Sequence, residues 1–376
     1  MSSLFFCQRM KIMLISKALY KKNIFTKIIA LGIILTANTV LTGCNSGLAM
    51  KNSLEKYSEV YFDYFDTVTN VIGYEESEEA FLEKCTYVES ELKRLDGLYD
   101  NYNSLPSGGV NLYYINAHAG EGPVEVDPDV IALFKEGKRI YDVTDGKTNF
   151  AFGAVLEIWH NYREEALNDP AGGKVPSMEE LTEASKHCNI DDVVIDEENS
   201  TVFYKDPLLK CDVGAIAKGY ALERISEGLR DMGAVNYTIN AGGNVRSIGP
   251  KPDGSGWSVA IQNPDTEAEV NYVEVLDITD MALTTSGSYQ RFYTVDGIRY
   301  HHIINPDTLF PENEFLSVSI LNKDAGMGDA LSTALFNMSL EDGKALAETL
   351  ADTEVMWILA DETKVYTDGF KEYIKK

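Results

Sequence analysis

The chain is poor in positive charge, in cysteine and in long apolar runs, and each shortage excludes a class of function. Lysine and arginine number 33 against 59 aspartates and glutamates, a formal charge of −26. So acidic a surface repels phosphate backbones and anionic headgroups, which excludes nucleic acid and anionic lipid as partners of the general surface. An anionic small molecule must then be met by a metal or by local amides. The five cysteines, Cys7, Cys44, Cys85, Cys188 and Cys211, are scattered without metal-ligand spacing or a disulfide framework. The apolar run Ile28–Val40 falls short of the about 20 residues that a membrane-spanning helix needs. From about Leu54 to Lys376 there is no Pro- or Ser-rich linker, no low-complexity tract and no repeat, so the length fits one large domain or two small ones.

What the N-terminus does contain is the pattern expected of a leader. Six basic side chains (Arg9, Lys11, Lys17, Lys21, Lys22, Lys27) and no acidic one precede position 44, and the run Ile28–Val40 ends in Leu41-Thr42-Gly43-Cys44. A positive segment, a short apolar segment and a small residue before the cut are the parts of a secretory signal peptide. The ending resembles a bacterial lipobox, which implies that Cys44 is lipidated and becomes the first mature residue. The expected organisation is a lipoprotein signal over 1–43, the lipidated cysteine and tether over 44–53, and one domain over 54–376. Removing six positive charges takes the formal charge from −26 to −32. Cys85, Cys188 and Cys211 then remain as buried single thiols.

Within the domain, helical and alternating patterns are interleaved. Helices are predicted over Glu78–Asp96, Pro128–Thr144, Met178–Ser185, Ala330–Met338 and Leu340–Leu350, the last with Ser339 and Asp342 placed as a capping box. Strands are predicted near Asp192–Ile195, Thr201–Tyr204, Val235–Ile239, Val245–Ile248, Trp257–Gln262, Tyr272–Ile278 and Val355–Leu359. Hairpin-length spacings favour an α+β fold with mostly antiparallel sheets and packed helices over a doubly wound one.

The segment 209–246, LKCDVGAIAKGYALERISEGLRDMGAVNYTINAGGNVR, is the most informative. Asp212 and the turn Gly214-Ala215 open a helix carrying Lys218, with Leu222, Ile225, Leu229 and Met232 at helical spacing and Gly233 suited to a left-handed C-cap. An alternating strand then runs into the turn Asn240-Ala241-Gly242-Gly243-Asn244. Glycine-bearing turns at both ends of one helix let backbone amides approach an anion closely. The pair D-x-G-x-I-A-K-G-Y-A and N-A-G-G-N-V-R resembles the signature of the ApbE family, the FAD:protein FMN transferases. That resemblance implies a T-fold-like architecture.

Two downstream stretches extend the resemblance. Residues 282–308, ALTTSGSYQRFYTVDGIRYHHIINPDT, are similar to the family's T-S-G-[DS]-Y and H-I-I-[DN]-P-x-T-G, with a hairpin turning at Asp296-Gly297. His301 and His302 alternate on a strand, so only one can point into a site. By the motif it is His302, although a lone histidine here also reads as a structural one. Asn305 stands where many members have aspartate, and Leu309 where most have glycine, so Asn305 is given a turn-forming role. In GMGDALSTALF, residues 326–336, Asp329 and Thr333 are four apart and share a helical face. Spacing alone leaves two readings: hard-oxygen ligands for Mg²⁺, or an aspartate beside a helix dipole and a threonine bonded to its own backbone. The resemblance implies the first, with the backbone carbonyl of Ala215 as a third ligand.

For FAD, the resemblance implies contacts from Phe65, Tyr102, Thr148, Asn149, Asp212, Lys218 and His302. Phe65-Asp66-Thr67 lies at the family's M-G-T, Asp100-Asn101-Tyr102 at S-x-Y, and Thr148-Asn149 at F-D. The implied activity is a Mg²⁺-dependent transfer of FMN from FAD to a Thr or Ser of an acceptor protein with release of AMP, by an enzyme lipid-anchored on the outer face of the cell membrane. His302 is the best candidate base by side-chain pKa, and Asp329 acting through the metal is the alternative, between which the sequence does not choose. The same residues fit an FAD pyrophosphatase giving FMN and AMP, and a non-catalytic flavin-binding lipoprotein.

Overall fold

Two strands of alternating polarity open the structured part of the chain. The structure, a computed structural model, describes residues 54–376; the expected leader and Cys44 lie outside them. β1 (Glu55–Tyr64) and β2 (Thr67–Glu75) form an antiparallel hairpin through a turn in which Asp63, Phe65 and Asp66 all adopt positive φ. α1 (Glu78–Tyr99) starts where Ser77 Oγ accepts from the Ala80 amide, and is followed by α2 (Leu112–Ala117) and the short β3 (Val124–Glu125). α3 (Pro128–Val143) begins with proline behind an aspartate cap, an arrangement suited to a helix start. α4 (Gly153–Asn168), α5 (Met178–Ser185), β4 (Val193–Asp196) and β5 (Thr201–Tyr204) come next, with β3, β5 and β4 forming a small sheet.

The second half builds the main sheet. α6 (Ala217–Asp231) leads into β6 (Tyr237–Ala241) and β7 (Asn244–Ile248), and the ribbon β8 (Trp257–Gln262) and β9 (Tyr272–Ile278) follows. Then come β10 (Ala282–Gly287), the hairpin β11 (Phe292–Val295) and β12 (Ile298–His301), β13 (Phe315–Asn322), α7 (Ala325–Phe336), α8 (Leu340–Thr349), β14 (Glu354–Leu359) and β15 (Lys364–Tyr366). Eight strands pair in the order β1-β2-β6-β7-β10-β13-β14-β15, every pair antiparallel. The fold is α+β.

Apolar burial fixes the layers. Phe81, Val88 and Leu92 of α1 and Leu222, Ile225 and Leu229 of α6 pack with Val71, Tyr237 and Ile239 on one part of the sheet. The β8–β9 ribbon packs through Trp257, Ile261, Leu276 and Ile278 against Val245, Leu283, Leu321 and Met356. α4 covers the β11–β12 hairpin, with Trp159 against Tyr293 and Tyr300. Arg246, the arginine of the N-A-G-G-N-V-R turn, is buried at 3% exposure. Its Nε and Nη2 donate to the two oxygens of Glu223 at 2.8 and 3.0 Å, and Glu223 Oε2 also accepts from the Ala325 amide at 2.9 Å. One buried ion pair thus ties α6, β7 and the start of α7 together, which makes this arginine a clamp of the fold.

Several elements differ from the sequence expectation. α7 begins at Ala325, five residues ahead of the expected Ala330, because Asp324 caps the Met327 amide and Gly326 and Gly328 continue the helix. Met232 caps α6 at 36% exposure outside its buried stripe, and Val235 is exposed ahead of β6. The helix α4 and the strands β1, β2, β10 and β13 were not anticipated as elements. Cys85, Cys188 and Cys211 are free thiols, with Cys188 only half-buried. Among the described residues no helix is long and apolar enough to cross a membrane.

Candidate active site

The two halves of the 209–246 motif meet at Asp329. Its Oδ2 accepts from the Gly219 amide at 2.8 Å, near the start of α6, and its Oδ1 accepts from Asn244 Nδ2 at 2.9 Å, at the start of β7. Gly219 is there because α6 and α7 cross in contact: a Cβ at this position would lie 2.2 Å from the Ala325 carbonyl oxygen and 2.4 Å from Asp329 Cβ. At the far side of the turn, Gly242 has φ 59°, and a Cβ there would meet Thr67 Oγ1 at 2.1 Å. Only glycine permits either approach. Asp329 is 6% exposed, and burial raises its pKa while Lys218, the Gly219 amide and Asn244 pull it down.

A buried carboxylate whose pKa burial raises, against the pull of neighbours on three sides, is suited to a hard cation, which would relieve that desolvation. Among the described residues no cluster of three His, Cys, Asp or Glu side chains could hold a metal. Asp329 is therefore a single carboxylate, and any further ligands must be neutral oxygens. Thr333 lies one turn along α7, half-buried, with Oγ1 3.5 Å from Ser286 Oγ of β10. Ser286 in turn bonds Ser332 Oγ at 2.7 Å, so the T-S-G strand meets α7 through hydroxyls. Ala215 lies two residues ahead of α6, in the turn that starts where Asp212 Oδ1 accepts from the Gly214 amide at 2.8 Å. The donor set of carboxylate, hydroxyl and carbonyl fits Mg²⁺, whose shell phosphate oxygens and waters complete.

The two histidines point to opposite sides of their hairpin. Asp296 and Gly297 at its tip have φ of 51° and 80°, the double positive φ of a tight primed turn. His301 is buried against Phe336, with Nε2 2.6 Å from the Glu312 carbonyl oxygen. The His302 amide donates to the Arg291 carbonyl at 3.1 Å, so Arg291 and His302 are cross-strand neighbours just beyond the β11–β12 ladder. His302 Nδ1 is buried without a hydrogen-bond partner. Burial, then Arg291, His301, Lys218 and Arg163, hold its pKa down to about 3 from an ordinary 6.5. The ring is neutral at physiological pH and can accept a proton. Its basicity in the free protein is nonetheless far below what its ordinary pKa suggests.

The remaining candidates fall into two groups. Asp212, Asn101 and Tyr102 form one polar cluster, with Asn101 Nδ2 3.1 Å and the Tyr102 hydroxyl 3.5 Å from Asp212 Oδ2. The Tyr102 ring lies 4.6 Å from that of His160. Phe65 is half-buried in the turn before β2, its amide donating to Asp96 Oδ1 at 2.8 Å. Thr148 and Asn149 have their polar groups engaged by the fold. Thr148 Oγ1 donates to the Ala330 carbonyl at 2.9 Å, next to Asp329, while Asn149 Nδ2 donates to the Cys188 carbonyl and its Oδ1 accepts from the Ala151 amide. Thr148 thus ties the 144–149 turn to α7, and Asn149 ties it to the segment after α5.

Comparison with known proteins gives the family. The ApbE family model matches residues 65–357. The chain belongs to the ApbE family. The FAD:protein FMN transferase of Vibrio cholerae is 31% identical over 287 residues, covering 76% of this chain and 82% of that protein. That of Klebsiella pneumoniae is 31% identical over 245 residues, covering 65% and 73%. The crystal structure of the ApbE protein from Thermotoga maritima matches with a TM-score of 0.74 at 28% identity, over 86% of this chain and 100% of that one.

The departures from the ApbE pattern have local accounts. Asn305 Oδ1 accepts from the Asp307 amide at 2.9 Å and its Nδ2 donates to Glu312 and to the Asn337 carbonyl, which is turn-forming work. Leu309, in the place where most ApbE members carry glycine, has φ 61°. That conformation costs a non-glycine residue about 1–2 kcal/mol, and here it is held by Trp159 Nε1 donating to the Leu309 carbonyl at 2.9 Å and by burial of the leucine. Sequence reasoning gave no role to Asn244, Gly219, Arg163 or Arg291. Asn244 and Gly219 stood inside quoted motifs, where a short polar residue and a glycine at an inter-element crossing were the available signal. The arginines carried none.

Proposed function

We propose that the chain is a Mg²⁺-dependent FAD:protein FMN transferase. The observation that carries the reading is Asp329, buried at the junction of α6, β7 and α7 and hydrogen-bonded to both halves of the 209–246 motif. A Thr or Ser hydroxyl of an acceptor protein attacks the FMN-side phosphorus of FAD. A phosphoester bond forms, the pyrophosphate P–O bond breaks and AMP leaves with the electron pair. His302 Nδ1 takes the hydroxyl proton, becoming a stronger base once the bound pyrophosphate offsets the cations around it. Asp329, the Thr333 hydroxyl and the Ala215 carbonyl hold the Mg²⁺, which supplies charge neutralisation at the pyrophosphate. Lys218, in the first turn of α6, faces the same phosphates. Phe65, Tyr102 and Asp212 line the flavin side, and Thr148 and Asn149 set the turn beside it.

The chain from Asn45, mixed with FAD, Mg²⁺ and an extracytoplasmic redox protein as acceptor, should yield an acceptor band that fluoresces after denaturing electrophoresis. Free FMN and AMP with no labelled acceptor would make it a pyrophosphatase, and intact FAD would overturn both readings. The lipobox-like leader supports an enzyme anchored by lipid at Cys44 on the outer face of the cell membrane. Cys44→Ser should move the protein out of the membrane fraction or leave an unprocessed precursor. Unchanged membrane attachment of that variant would assign the anchoring to the run Ile28–Val40.

A further inference from the structure

Three cations surround His302 in a strongly acidic chain, and two of them have no task in the reaction described so far. Arg291 and His302 are opposed on one face of the β11–β12 hairpin, the face that also carries Tyr293 and Tyr300. Those tyrosines pack on Trp159 of α4. Arg163 is four residues beyond Trp159 on the same helix, so it lies one turn along the face that the hairpin covers. Tyr293 and Tyr300 thus anchor the apolar end of the contact, and its other end brings Arg163, Arg291 and His302 together.

The partners of the two arginines are few. Among the described residues no carboxylate lies within ion-pair distance of Arg163, which is half-buried and whose Nη2 sits 2.9 Å from His160 Nδ1. His160 is held in turn against the Tyr102 ring at 4.6 Å. Arg291 reaches only Asp66, at 4.0 Å, with both side chains exposed. Two like charges on facing elements, one of them half-buried with no carboxylate in direct contact, oppose folding unless an anion completes the site. Burial depresses the Arg163 guanidinium below its ordinary value; Arg291 adds to the depression, while Tyr102, Glu164 and Asp212 oppose it. The buried, unpartnered His302 Nδ1 beside them marks the space as a binding site for a ligand.

We propose that Arg163 and Arg291 clamp the adenylate phosphate of FAD as it departs. The inference rests on the transferase reading. When the P–O bond to the adenylate breaks, the AMP phosphate gains one negative charge while the FMN phosphorus keeps one in the new diester, and the acceptor proton resides on His302. The charge that develops is on the leaving group, so donors placed there bind the transition state and the AMP product more tightly than intact FAD. A guanidinium presents two parallel N–H donors to a phosphate, which Lys218 as a point charge does not. His160 and Tyr102 position Arg163, tying the clamp to the cluster around Asp212.

The test measures FAD affinity, single-turnover rate and AMP product inhibition for Arg163→Gln, Arg163→Lys and Arg291→Gln in the full domain with Mg²⁺. Arg163→Gln should lower the rate of FAD cleavage by about 100-fold and weaken AMP inhibition at least about tenfold, with FAD affinity changed by less. Arg163→Lys should recover part of the rate, and millimolar methylguanidine should partly rescue Arg163→Gln. Arg291→Gln, a change at an exposed side chain that leaves the fold intact, should also weaken AMP inhibition. Unchanged AMP inhibition in both glutamine variants, or a loss confined to the KM for acceptor protein, overturns the clamp. A wild-type enzyme that cleaves no FAD at all would overturn the transferase reading instead.

Discussion

Asp329→Asn should lower FMN transfer by about two to three orders of magnitude while weakening FAD binding much less. The substitution removes the single carboxylate of the candidate metal site and keeps one of the two acceptors that Gly219 and Asn244 require. Lost charge neutralisation acts on the transition state, whereas flavin contacts made elsewhere still hold the substrate. Stability should move differently from activity. Burial raises the Asp329 pKa above that of the unfolded chain, so the ionised group opposes folding. Its favourable contribution is fully present below the ordinary carboxylate range and is lost as pH rises through the folded value. Relative to wild type, metal-free Asp329→Asn should therefore gain stability as pH rises through that window, offset by about 1–3 kcal/mol for the one unpaired donor it leaves. Thermal melts in chelator across pH, beside transfer assays in Mg²⁺, separate the two effects. Full turnover of the variant, or of wild type in excess chelator, would remove Asp329 from the metal site.

The parts of this site that were legible in the sequence are those written in backbone chemistry. Gly233 has φ 82° at the end of α6, Asp296 and Gly297 make the primed turn of the hairpin, and Ser339 Oγ caps α8 by accepting from the Asp342 amide while donating to the Asp342 carboxylate. Each is a local conformation that few residues tolerate, so composition reports it directly. The start of α7 was obscured because Gly326 and Gly328 read as breakers. They are in the helix so that it can lie close to neighbouring elements: a Cβ on Gly328 would stand 3.0 Å from Thr284 Oγ1 of β10, and one on Gly326 3.3 Å from Tyr220 Cα of α6. α4 has no side-chain cap at its start, since it continues a 3₁₀ turn, and offered no boundary signal. The meeting of Arg163 with Arg291 depends on the packing of Trp159 against a hairpin more than a hundred residues later. No local rule encodes that contact. The acidic composition suggested that only a metal or amides would meet an anion, yet the fold gathers three of its few cations at one point.

The paired histidines give the sharpest division between structural and chemical roles. His301→Asn should destabilise the protein, because Nε2 contacts the Glu312 carbonyl, Nδ1 accepts from the Ile303 amide, and the ring packs edge-on against Phe336. Loss of a buried polar network of this kind costs about 1–3 kcal/mol, and the turnover of the folded fraction should be nearly unchanged. His302→Asn should do the reverse. Its Nδ1 has no partner to lose, so the fold tolerates the change, while transfer should fall by about 100-fold through loss of the proton acceptor. The pH dependence supplies a second readout. The folded His302 pKa is depressed to about 3 from 6.5, so the unfolded chain takes up a proton in that interval that the folded one refuses. Wild-type stability is therefore fully present above pH 6.5 and is lost progressively as pH falls toward about 3, a dependence that His302→Asn should lessen. Occupation of the site by an anion should raise the His302 pKa, which NMR titration of the ring with and without bound AMP can follow. A larger loss of turnover from His301→Asn than from His302→Asn would assign the proton transfer to the other face of the hairpin. An unchanged maximal rate in His302→Asn, with weakened FAD binding alone, would leave activation of the nucleophile to the metal.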